Sequence, residues 1–156
     1  MNDKRMMLGV CAAVIALSMS ACGQTDAPKA STRALVEFGQ NISLESPLKT
    51  MKLGQTATIA VAIKNASRED WPAGGASPVN LSYHWIDRSG KIVVFDGERT
   101  SLPKDLKAGE SVKVQAKIKS PDQPGDYVLR MTMVQESVAW FDDRGAKALN
   151  LPVMVK

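Results

Sequence analysis

Val112-Lys113-Val114-Gln115-Ala116-Lys117-Ile118-Lys119 alternates apolar and polar residues over eight positions without a break. Successive side chains of an extended chain point to opposite faces. Val112, Val114, Ala116 and Ile118 therefore share a dry face, and Lys113, Gln115, Lys117 and Lys119 a wet one. A helix, with its period of about 3.6 residues, would scatter both sets around its axis. The same period of two recurs on either side of this stretch. Ile59, Val61 and Ile63 alternate with Thr58, Ala60, Ala62 and Lys64. Val79, Leu81, Tyr83 and Trp85 make a third strand, Tyr127, Leu129, Met131 and Met133 a fourth, and Leu149, Leu151, Val153 and Val155 a fifth. Ile92 to Phe95 and Ile42 to Leu44 are shorter candidates, and no segment reads as a helix.

Turn residues punctuate these runs at Asn65-Ala66-Ser67, Ala73-Gly74-Gly75, Arg88-Ser89-Gly90, Lys107 to Glu110, Ser120 to Gly125 and Arg144-Gly145. About seven short strands so spaced predict an all-β, antiparallel β-sandwich. Pro152 lacks a ladder donor, so its strand is expected at a sheet edge or a bulge. Two details favour the immunoglobulin-like form of the sandwich. Trp85 ends the third strand, where such folds bury a tryptophan. Pro124 to Leu129 reads as a tyrosine corner, with the Tyr127 hydroxyl bonding back to upstream backbone.

The 156 residues, 44% hydrophobic and 23% charged, have the balance of an ordinary globular chain, with room for one domain. A net charge of +4 without any block of like charge is too diffuse for a nucleic-acid footprint.

At the N-terminus, Lys4 and Arg5 precede sixteen uncharged residues, Met6 to Ala21, after which the chain turns polar. That order is basic region, apolar region and cleavage site of an export signal. The apolar run is shorter than the roughly 20 residues of a spanning helix. Cys11 leaves with the signal, so Cys22 has no disulfide partner in the mature chain. Residues 23–32 are small, polar and aperiodic, the composition of a flexible tether. The expected organisation is a signal peptide over 1–21, an anchor and tether over 22–32, and the sandwich over 33–156.

Leu17-Ser18-Met19-Ser20-Ala21-Cys22 resembles the lipobox of bacterial lipoproteins. The resemblance implies that Cys22 is acylated, as in palmitate-bearing lipoproteins, and becomes the new N-terminus. Met19 stands where that family usually has Leu. Gly23 after the cysteine, where aspartate would retain the protein at the inner membrane, implies the outer membrane of a Gram-negative envelope. A second resemblance covers Thr56 to Phe141. Lys64-Asn65 to Trp71-Pro72-Ala73-Gly74-Gly75, Leu81 to Trp85, Phe95-Asp96-Gly97-Glu98-Arg99-Thr100 and Val134-Gln135-Glu136 to Ala139-Trp140-Phe141 are similar to a bacterial immunoglobulin-like module. That module accompanies glycosyltransferases and polysaccharide-related proteins, and its Asn65 to Trp71 part is also similar to next-to-BRCA1-like domains. The family pattern has Gly where Ser137 stands, so Ser137 argues against a positive φ there.

Catalytic equipment is sparse. The one histidine, His84, points away from the face of Tyr83 and Trp85 and reads as a structural or merely solvated imidazole rather than a general base. No nucleophile elbow is present, and adjacent Asp142 and Asp143 would face opposite ways if extended. Met131 and Met133 could offer soft ligands to Cu(I), yet they share a face with Leu129 and read as core. No catalytic residue, metal ligand or cofactor site is expected. The best ligand candidates are Trp140 and Phe141 with Glu136 and Arg144 close in sequence, because flat rings beside polar groups suit sugar rings. The expected function is a lipid-anchored, non-enzymatic envelope binding or accessory module for glycan. A protein-interaction module of the envelope, inhibitor or chaperone-like, is the alternative.

Overall fold

The computed structural model describes residues 33–156. The expected signal peptide, Cys22 and the tether therefore lie outside the described residues. All seven expected strands form: β1 (Gln40–Leu44), β3 (Thr56–Asn65), β4 (Val79–Asp87), β5 (Ile92–Val94), β7 (Ser111–Lys119), β8 (Gly125–Gln135) and β10 (Leu149–Val155). Three two-residue strands join them, β2 (Thr50–Met51), β6 (Thr100–Ser101) and β9 (Ala139–Trp140), with a single 3-10 turn over Asp142–Arg144. Two-residue segments are too short to show any period, which is why the sequence hides them.

The strands make an immunoglobulin-like sandwich. One sheet has the order β1-β3-β7, and the other runs β2-β10-β8-β4-β5, with β6 also on β4 and β9 also on β8. Pairing is antiparallel except between β10 and β2, which run parallel over two residues. Pro152 sits on β10 before that pairing begins, where the strand is hydrogen-bonded only to β8. The missing donor thus falls on an open edge, as expected.

Val61, Ile63, Val114, Ala116 and Ile118 of the smaller sheet pack on Leu81, Tyr83, Trp85, Leu129, Met131 and Met133 of the larger. Both methionines are fully buried, in keeping with a packing role. The Trp85 indole N–H donates to the Lys119 carbonyl at 2.8 Å, and the Tyr127 hydroxyl donates to the Gln123 carbonyl at 3.0 Å, completing the tyrosine corner. Lys113, Gln115, Lys117 and Lys119 are all exposed.

The Asn65 to Trp71 run is a loop clamp. Asn65 Nδ2 donates to the carbonyls of Glu69 and Leu106, its Oδ1 accepts from the Ser67 N–H, and the Trp71 indole donates to Ser67 Oγ at 3.2 Å. The buried polar side chains of Asn65 and Ser67 are thereby hydrogen-bonded while Trp71 enters the core. Ser137 contradicts its expectation. Its φ is +61°, because Val138 N–H closes a turn onto the Gln135 carbonyl with Ser137 at the third position. With Glu136 at negative φ and Ser137 at positive φ the turn takes the type II form, in which Ser accepts the strain that glycine would avoid.

Candidate functional site

β4 is buried on both faces, which its alternation of Asn80, Ser82 and His84 with apolar residues did not foretell. The polar face is roofed by the segment after β5 and by β9. Gly97 N–H donates to the Tyr83 carbonyl at 3.0 Å, laying this segment along the edge of β4 between β5 and β6. Phe95 then stacks on the His84 ring at 4.9 Å, and Trp140 lies 4.3 Å from the same ring and 5.5 Å from Phe95. His84 Nδ1 bonds the Phe95 carbonyl, and its Nε2 faces Asp142 at 4.0 Å.

Arg99 closes the cluster. Its Nε donates to Glu136 Oε1 at 2.8 Å, and Nη1 donates to Ser82 Oγ at 3.2 Å, to the Gly97 carbonyl at 2.9 Å and to Asp96. Its guanidinium lies over the Trp140 ring. Partial burial opposes the charge on Arg99, but Glu136 and Asp96 together outweigh it and raise the affinity of Arg99 for its proton. Asn80 Nδ2 donates to the same Glu136 oxygen at 2.9 Å, so the carboxylate is held from both sides.

Of the four sequence candidates, the structure joins two. Trp140 and Glu136 meet through Arg99. Phe141 does not belong: it is 0% exposed and packs edge-on between Phe38 and Trp71, so its ring offers a ligand no face. The cause is strand alternation across β9, which turns Phe141 inward as Trp140 turns outward. Arg144 lies over Phe38, 5.8 Å from its centroid, not beside Trp140. Phe95 and Arg99 complete the site and were not among the sequence candidates. Their one signal was the Phe95 to Thr100 run quoted for the family resemblance.

The result is a pair of aromatic rings on the outer face of the larger sheet. Phe95 is 52% exposed and Trp140 half-buried, rimmed by a fixed cation and by the carboxylates of Glu136 and Asp96. Such a surface can stack on an apolar ring face and exchange hydrogen bonds at its edge. Among the described residues no group of His, Cys, Asp and Glu is placed to hold a metal ion, and no helix is long and apolar enough to cross a membrane.

No protein-family model matches the chain, and no curated protein does. Among solved structures, 75% of the chain is similar to a mutant beta-glucosidase from Listeria innocua in complex with laminaribiose, at 16% identity and a TM-score of 0.49. That match spans only 16% of the glucosidase chain. Over 85% of its length the chain is also similar to the whole of a CARDB domain from Pyrococcus furiosus, in complex with di-metal ions, at 17% identity and a TM-score of 0.46. At such identities and scores neither likeness bears on ligand or activity.

Proposed function

We propose that the protein is a lipid-anchored, non-catalytic binding module of a bacterial cell envelope, with carbohydrate as its ligand and the Phe95–Trp140–Arg99 face as its site. The observation that carries this reading is the exposed Phe95 ring beside Trp140, with Arg99 and Glu136 pinned at the rim. Aromatic rings already packed on His84 and on each other lose little freedom on binding, and fixed charged groups can select hydroxyl geometry. What speaks for binding over catalysis is the burial of His84, whose Nδ1 is occupied by the Phe95 carbonyl. Cys22 after Ala21 supports the anchor, and acyl chains at about 0.8 kcal/mol per buried methylene would hold the domain without a spanning helix. Gly23 supports the outer membrane as the address.

The test is a glycan array probed with the detergent-solubilised full chain and its Phe95→Ala variant. Selective binding that disappears in the variant supports the proposal, and equal signals from both chains end it. Mass spectrometry of the mature N-terminus tests the anchor separately. An acyl adduct on Cys22, absent from a Cys22→Ala variant that also leaves the membrane fraction, is the expected result.

A further inference from the structure

Between the larger sheet, the segment 96–98 and the loop that joins β7 to β8 lies a groove of about 420 Å³. Tyr83, Tyr127, Val93 and Val94 line it with aromatic and aliphatic surface. Gly97 sets one wall. A Cβ there would sit 2.6 Å from both the Tyr83 ring and the Tyr83 carbonyl oxygen, so only glycine lets residues 96–98 lie this close to β4. That segment carries Asp96 and Glu98 to the rim, and the loop after β7 brings Asp122. Asp96 is engaged by Arg99, whereas Glu98 and Asp122 make no ion pair among the described residues. Lys119 also borders the groove, in register with Lys113 and Lys117 on the outer face of β7.

With Asp96 neutralised by Arg99, Glu98 and Asp122 against the one cation of Lys119 leave the rim of this apolar slot net negative, complementary to the alkyl stem and cationic head of lysine or arginine. The groove runs into β5, the terminal strand of the larger sheet, which has no strand partner on its outer side. There Val93, which lines the groove, is 41% exposed, so a free amine would leave it and the unpaired edge of β5 uncovered and an extended chain would cover both. With three residues β5 can add few main-chain bonds, and selectivity falls to the slot. We infer that the groove is a docking site for a basic side chain of an extended partner polypeptide lying along β5.

This site shares Asp96 with the rim of the Phe95–Trp140 face but neither of its rings, and its test is independent of carbohydrate binding because Glu98 and Asp122 take no part in that face. The full chain in detergent is titrated with a fluorescent peptide of alternating valine and arginine, with its valine–glutamate counterpart, and with argininamide. The basic peptide should bind, and more weakly as salt rises. The double substitution Glu98→Gln with Asp122→Asn should weaken it about tenfold, because two rim charges are lost. Both positions are exposed, so the thermal melt should not move. Failure of the basic peptide to bind, equal binding of the acidic peptide, unchanged affinity of the double variant, or argininamide binding as tightly as the peptide would each overturn the inference.

Discussion

The guanidinium carbon of Arg99 stands 4.8 Å from the centroid of the Trp140 ring while Nε of the same group donates to Glu136 at 2.8 Å. One side chain thus ties the segment after β5, the turn after β8 and the strand β9 into a single roof over β4. Lysine cannot copy this, because a single ammonium lacks the planar fork that reaches several acceptors while covering a ring. Arg99→Lys should lower stability by about 1–2 kcal/mol through the lost hydrogen bonds and shift the Trp140 emission. Urea melts with fluorescence detection check both. Trp140→Ala should lower stability and ligand binding together, since His84, Phe95 and Arg99 all rest on that ring.

The buried and wet faces should differ sharply in their tolerance. Trp85 is fully buried and hydrogen-bonded, so Trp85→Ala is expected to cost about 3–5 kcal/mol as a large core truncation. Lys117→Ala, on the exposed face of β7, should cost under about 0.5 kcal/mol. Equal losses in denaturant melts would mean that the two faces had been exchanged.

Ser137 is the one non-glycine residue with positive φ among those described. Relieving it with Ser137→Gly should raise stability by about 0.5–1 kcal/mol, the left-handed penalty less the extra entropy glycine loses on folding. A calorimetric midpoint unchanged or lowered would contradict this account of the turn.

Glu69 links folding to acid. Its carboxylate accepts the Val36 and Glu37 N–H groups at 2.8 and 3.1 Å and pairs with Arg33 at 3.1 Å. The Val36 bond first, then the Glu37 bond, hold its carboxyl below the ordinary value of 4.5, against a smaller opposing effect of burial. A lowered folded value means that the stabilisation is complete above about pH 4.5 and is lost as pH falls through the lower value. Glu69→Gln should therefore be less stable than the parent at neutral pH. The gap should close on acidification, as read from melting temperatures between pH 6 and pH 3.

Alternation determined the seven main strands, the wet face of β7 and the core positions of Trp85, Met131 and Met133, because a period of two is a local property that each strand carries in its own residues, and the Pro124 to Leu129 run marked the corner at Tyr127. The expectation of an export signal is equally local, since it rests on a run of composition. The roof over β4 could not be read in this way. Asn80, Ser82 and His84 look like a solvated face in sequence and are buried, because residues 95–99 and 139–140 fold back across them from separate places in the chain. The division between Trp140 and Phe141 was likewise tertiary. The two are neighbours of similar chemistry, and only the pairing of β9 with β8 turned one ring toward solvent and drove the other between Phe38 and Trp71. Arg99 replaced Arg144 beside Trp140 for the same reason: proximity in sequence sets which residues are near along the chain, while the register of β4 with β6 and β8 sets which side chains share a face.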